Sequence, residues 1–180
     1  PKRAAGQDDI GAQSFQGTHA EHLLLVFDEA AGVSNDRWVT ADNLLVGSEN
    51  KMLAIGNPTS TTGPYFKAST DPRWHVIKIS ALEHPNIKAA IRGEPEPYPG
   101  AVSMLWLEDA LRNTFWCQKL GAPESAEQLA AWENEGAFEF PSTELHGVAG
   151  VWYQPSPTAE WKILGRFPSR AIDTLWSMAW

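Results

Sequence analysis

The stretch 22–29, HLLLVFDE, limits what this chain can fold into more than any other. Leu23, Leu24, Leu25, Val26 and Phe27 show no polar alternation and are too few for a long buried helix. They therefore predict a central parallel strand covered on both faces. Asp28 and Glu29 follow at its C-terminal end. Open α/β sheets bind ligands at that edge, because the strand ends and the loops leaving them form the crevice. A second short apolar run, 52–55, ends in Gly56-Asn57-Pro58-Thr59, which would bring more polar groups to the same edge.

The rest of the chain reads around these strands. Ala30-Ala31-Gly32-Val33 is a turn, and Ser34 or Asn35 caps a helix running to about Val46, with Trp38, Ala41 and Leu45 on one face and Gly47 as its C-cap. Strand, helix, strand predicts parallel pairing with a right-handed crossover. Residues 74–80, WHVIKIS, alternate apolar and polar and predict a third strand. Residues 94–100, EPEPYPG, form an extended linker, since proline forbids a helix there. Ser103 then caps a helix with Leu107, Ala110, Leu111 and Phe115 on one side. Ser125 and Gln128 have capping-box spacing for another helix that Gly136 closes. A short strand is expected at 148–153, and residues before 22 read as an approach loop.

A length of 180 residues suits one domain with a proper core and is short for two. The net charge of −8 argues against a broad nucleic-acid grip, which needs clustered Lys and Arg. Lys51, Lys67, Arg73, Lys78, Lys88 and Arg92 make the middle locally basic, a pattern more often a solvated surface than a phosphate contact. The single Cys117 excludes an internal disulfide and fits a reducing compartment. No run approaches the ~20 apolar residues that cross a bilayer, so a cytoplasmic protein without membrane contact is expected. His19, His22, His75, His84 and His146 lack metal-ligand spacing, and Trp106, Trp116, Trp132, Trp152, Trp161, Trp176 and Trp180 read as packing rather than a stacking platform.

Asp28 and Glu29 have the chemistry of a phosphoryl-transfer site, which needs one carboxylate for hydrated magnesium and another to orient the attacking water. Successive residues at a strand end point in different directions, so the two can divide these tasks. An acidic pair also suits the mere start of a helix. Asn57 and Thr59 are uncharged hydrogen-bonding groups suited to sensing a γ-phosphate, although Asn-Pro also makes ordinary turns.

HLLLVFDEAAGV, then MLAIGNPTSTTGPYF, then WKILGRFPS resemble, in that order, the large terminase subunit of tailed bacteriophages, the ATPase that drives DNA into the procapsid. Residues 14–19, SFQGTH, resemble the segment before the acidic strand. The resemblance implies a P-loop NTPase-like α/β fold, with a partial parallel sheet in 1–92 and a mixed helical subdomain in 93–180 that leads to a nuclease domain. It further implies that Asp28 is the Walker B residue that holds Mg2+ and contacts ATP. Glu29 would be the catalytic glutamate, and Asn57, backed by Thr59, the motif coupling hydrolysis to DNA movement. Double-stranded DNA, a terminase small subunit, a portal protein and further copies of the chain are the implied partners.

The sequence departs from the family in lacking GxxxxGK[ST]; Gly47-Ser48-Glu49-Asn50-Lys51 has neither the second glycine nor the Ser/Thr. Arg166 stands where the family usually has an acid, and 113–154 has no counterpart. The chain begins with proline in what reads as mid-domain, so a piece of something longer is expected. A helicase-like P-loop motor and a non-catalytic subunit-interaction domain that retains the fold are the alternatives.

Overall fold

A computed structural model describes residues 21–140 and 150–170. The expected approach loop up to residue 20, with the 14–19 segment, lies outside the described residues, as do the first part of the 148–153 strand and the tail beyond 170. The architecture is mixed α/β, in two compact units: Pro1–Asn57 with Thr62–Trp74, and Pro58–Thr61 with His75–Trp180.

The first unit is built on the apolar run. β1 (Leu24–Phe27) pairs in parallel with β2 (Lys51–Ala54), in the register Leu24↔Lys51 to Phe27↔Ala54. Between them runs α1 (Asn35–Leu44). Pleating sends Leu25, Phe27, Met52 and Ala54 toward α1, where Trp38 and Ala41 complete a small core. Trp38 meets Phe27 edge-on at 5.1 Å between ring centroids and Trp74 at 5.9 Å. The expectation of cover on both faces is met on one side only. Leu24, Val26, Leu53 and Ile55 are 47–63% exposed, so the opposite face of the sheet is open among the described residues.

Helix α1 ends at Leu44, before the expected Val46, because Asn50 caps it. The Asn50 side-chain amide donates to the Leu44 carbonyl at 3.1 Å while its oxygen accepts from the Leu23 N–H at 3.0 Å. One side chain thus closes the helix and fixes the entry to β1. After β2, Gly63 takes φ 89° and Pro64 opens α2 (Pro64–Thr70), a helix start that proline's fixed φ favours. Tyr65 and Ala68 of α2 join the core.

The second unit has a core centred on Ile87, Leu107, Phe140 and Ile163, all fully buried. It gathers α3 (Pro85–Ile91), α4 (Met104–Arg112), β3 (Cys117–Gly121), α5 (Ala126–Asn134), β4 (Phe138–Glu139), β5 (Trp152–Pro155) and α6 (Pro157–Lys162). The sheet order is β3-β5-β4, antiparallel throughout. Serine caps start three of its helices, Ser103 accepting from Trp106, Ser125 from Gln128 and Ser156 from Ala159.

The proline-rich stretch lies inside this unit, held by Asn86. That buried side chain donates to the Tyr98 and Val102 carbonyls at 2.8 and 3.0 Å and accepts from the Tyr98 N–H at 2.9 Å. The unmatched Arg166 also has a role here. Its guanidinium pairs with the buried Glu160 carboxylate at 3.1 Å and donates to the Gly136 carbonyl at 2.7 Å.

Two expectations are corrected. Residues 74–80 form no strand, since Trp74 lies in a bend and among the described residues no neighbouring strand pairs with 75–80, and Ile77 and Ile79 are 74% and 79% exposed. Their C-terminal end is nonetheless anchored: Ser80 Oγ and the Ala81 N–H both donate to the Ile163 carbonyl, and Gly165, at φ 60°, leaves no space for a Cβ beside the Ile79 carbonyl. Phe115 is not part of the α4 face. The helix stops at Arg112, Asn113 Oδ1 accepts from the Phe115 N–H at 3.0 Å, and the ring is 84% exposed.

Candidate functional site

Parallel pairing places the C-terminal ends of β1 and β2 at one edge of the first unit's sheet. The Ile55 N–H donates to the Phe27 carbonyl at 2.8 Å, and the Ala30 N–H donates to the Ile55 carbonyl at 2.8 Å, so the ladder extends past both strands into the turns that follow. Gly56 then lies directly against the Glu29–Ala30 backbone. A Cβ there would stand 2.9 Å from Ala30 N, a backbone contact too close for any residue but glycine unless one of the two turns shifts. Asp28, Glu29 and Asn57 all follow from these strand ends, and all are solvent-exposed.

The backbone at Glu29 is the site's most telling feature. Its φ of 51° and ψ of 45° put it in the left-handed region, where it is the only non-glycine among the described residues. A Cβ-bearing residue pays about 1–2 kcal/mol for that conformation, and such strain concentrates where side-chain direction matters. Asp28 Oδ1 accepts from the Glu29 N–H at 3.0 Å, and the 3-10 turn Ala30–Gly32 leads away toward α1. Glu29 thus precedes a 3-10 turn rather than α1, whose N-cap position is Ser34, and the turn at Ala30 is stitched to β2.

Behind Asn57 stands Tyr65, whose hydroxyl donates to the Gly56 carbonyl at 2.9 Å. Burial pushes its phenol above the usual tyrosine range. Sequence reading missed this tie; the pointer to it was Gly63-Pro64, which sets a helix start one residue before the aromatic ring. Thr59 is half-buried and belongs to the second compact unit.

The weak phosphate-loop candidate, 47–51, is accounted for. It lies where β1 and β2 begin, at the edge opposite Asp28 and Glu29, and its interior is filled by the Asn50 side chain, which comes within 2.9 Å of where a Gly47 Cβ would be.

Among the described residues no group of three or more His, Cys, Asp or Glu side chains gathers to hold a metal ion. A magnesium ion does not need one. It keeps several waters and takes one or two carboxylates together with substrate phosphates, a demand that an exposed Asp28 at a strand end fits. Elsewhere, two of the six basic residues of the middle segment are engaged by acids: Arg73 pairs with Asp71 and Arg92 with Glu94, each at 2.6 Å. The Arg73 guanidinium holds the Asp71 carboxyl down at about 2. Trp106 and Trp116 meet at 6.4 Å, and Lys162 Nζ sits 4.4 Å over the Trp116 ring, contacts of packing rather than of an open platform.

This chain is 27% identical over 105 residues to a probable terminase large subunit of Enterobacteria phage P7. The aligned part covers 53% of the chain and 21% of that protein, so the chain spans about a fifth of the length of the relative it matches. The match supports a terminase-like relationship. No protein-family model and no solved structure matches the chain. Among the described residues no helix is long and apolar enough to cross a membrane.

Proposed function

We propose that this chain supplies the Walker B and coupling half of a terminase-like ATPase of P-loop type, which hydrolyses ATP with Mg2+ to move double-stranded DNA into a procapsid. The observation that carries the reading is the shared edge, where Gly56 packs against the left-handed turn at Glu29 and both strand ends present polar side chains. In this reading Glu29 accepts a proton from water as the water oxygen attacks the γ-phosphorus and the bond to the β,γ-bridging oxygen breaks. Asn57 orients the same water or the γ-phosphate. Asp28 would hold magnesium, whose charge draws electrons from the phosphoryl oxygens. The phosphate cradle has to come from a Gly-rich Lys-Ser/Thr loop elsewhere in the motor, since the 47–51 turn is filled. A small terminase subunit, a portal protein and further copies of the chain would be partners, in the cytoplasm of the host.

The test is Glu29→Gln in a polypeptide that carries such a loop. ATP binding is retained and turnover falls about 10²–10⁴-fold, the usual contribution of a general base. Undiminished turnover removes Glu29 from this role. The filled 47–51 turn favours one rival, a domain that keeps the fold and only binds other subunits. A magnesium-dependent ATP titration that shows no binding with the loop supplied would select it.

A further inference from the structure

The end of β2 is held from two directions. On one side Gly56 abuts the Glu29–Ala30 backbone, and the Ala30 N–H reaches the Ile55 carbonyl at 2.8 Å. On the other, the Tyr65 hydroxyl donates to the Gly56 carbonyl at 2.9 Å. The ring is no loose surface group: Tyr65 packs against the core of Phe27, Ala30 and Trp38 and rides on α2, which the φ 89° turn at Gly63 starts. Its raised phenol stays protonated across the neutral range and so stays a donor.

We propose that Tyr65 is a positioning residue, whose hydroxyl fixes the peptide between Gly56 and Asn57 and so holds the Asn57 turn against the turn carrying Glu29. The clamp matters to catalysis through the ATPase reading above. Without it the Gly56–Asn57 peptide loses the bond that holds its carbonyl, and Gly56, having no Cβ, opposes its rotation less than another residue would. The direction of the Asn57 side chain is then no longer coupled to Glu29. Helix α2 becomes a lever: a displacement of Tyr65 pulls on the Asn57 turn, and a shift of that turn is felt along α2.

Tyr65→Phe removes one oxygen and keeps the ring in the core. Amide hydrogen exchange on the whole 180-residue chain reads the two ends of the same sheet separately. The Ala30 amide reports the clamped edge, and the Lys51 amide, which donates to the Leu23 carbonyl at 2.8 Å, reports the other. The variant speeds exchange at Ala30 about five- to tenfold, the loss of one ordinary hydrogen bond, and leaves Lys51 unchanged. Thr40→Val, which deletes a hydroxyl bonded to the Asp36 carbonyl within α1, leaves both unchanged. Unaltered exchange at Ala30 overturns the proposal. So does an equal rise at Ala30 and Lys51, which would make Tyr65 a general stabiliser of the sheet. In a loop-supplied polypeptide that hydrolyses ATP, Tyr65→Phe lowers kcat and leaves KM for ATP unchanged; an unchanged kcat also overturns it. If the unsubstituted polypeptide hydrolyses no ATP, the ATPase reading fails, and the exchange result alone decides the clamp.

Discussion

Replacing Gly56 with alanine perturbs the shared edge by one methyl group. The new Cβ would stand 2.9 Å from Ala30 N and 3.4 Å from Ala31 N, both backbone atoms. Neither can swing aside like the end of a long side chain, since Ala30 N–H is bonded to the Ile55 carbonyl at 2.8 Å. Relief therefore comes from moving the turn away from β2. Overpacking of this kind costs about 1–3 kcal/mol, and weakening the Ala30 hydrogen bond adds about 1. Against this, alanine restricts the unfolded chain and returns about 0.4–1 kcal/mol. The net loss is about 1–3 kcal/mol. Because the chain has two compact units, a single melting curve is a poor reporter, and native-state hydrogen exchange is the better assay. Amides at Ala30 and Ile55 exchange roughly 5- to 150-fold faster in Gly56→Ala, while those in the second unit, such as Cys117 bonded to the Asn113 carbonyl, do not change. Exchange at Ile55 within twofold of the parent would mean that the two turns are not in contact, and the reasoning would fail.

Two further outcomes follow from the second unit. Asn86→Ala leaves the Tyr98 N–H and the Val102 carbonyl without their partner, while the Tyr98 carbonyl keeps the Ala101 N–H, at a cost of about 2–3 kcal/mol, whereas Lys88→Ala on the exposed side of the same helix changes stability by less than about 0.5 kcal/mol; urea unfolding of the two variants compares them. Burial pushes the Cys117 thiol up from 9.0 to about 12, so between those values the unfolded chain has lost a proton that the folded chain keeps. Stability from this group is complete below pH 9 and falls as pH rises toward 12, by at most about 1.4 kcal/mol per pH unit, and Cys117→Ala flattens that slope in unfolding measured at stepwise pH.

What could be read from the sequence was what local chemistry decides. The apolar run 23–27 announced β1, and Ser103 and Ser125 announced helix starts, because a strand with no polar alternation and a serine cap each depend on a few neighbouring residues. The strand expected at 74–80 failed for the opposite reason. Alternation shows only that a segment can pleat; a strand also needs a neighbour to complete its ladder, and among the described residues none does so. Phe115 kept the helical spacing of α4, but Asn113 captured the backbone first.

At the candidate site, the acidic pair and the Asn-Pro turn were visible as residue types at the ends of two apolar runs. The strand register, the left-handed backbone at Glu29 and the Tyr65 tie were not: the register depends on segments distant in sequence meeting in space, and the other two on turn conformations that residue types alone do not fix. Asn50 is the same lesson in reverse. In the sequence it looks like part of a failed phosphate loop, and in the fold it is the bracket between α1 and β1.

The most direct test of the shared edge as a nucleotide site is paramagnetic broadening of backbone amide resonances by manganese with ATP. Manganese takes the place of magnesium, and broadening registers binding at low occupancy, so it does not require a complete phosphate cradle. The account predicts that Mn2+ with ATP broadens the amides of 28–30 and 56–57 selectively, and that Asp28→Asn removes the effect. Broadening confined to other acidic surfaces, with 28–30 and 56–57 unaffected, would contradict it.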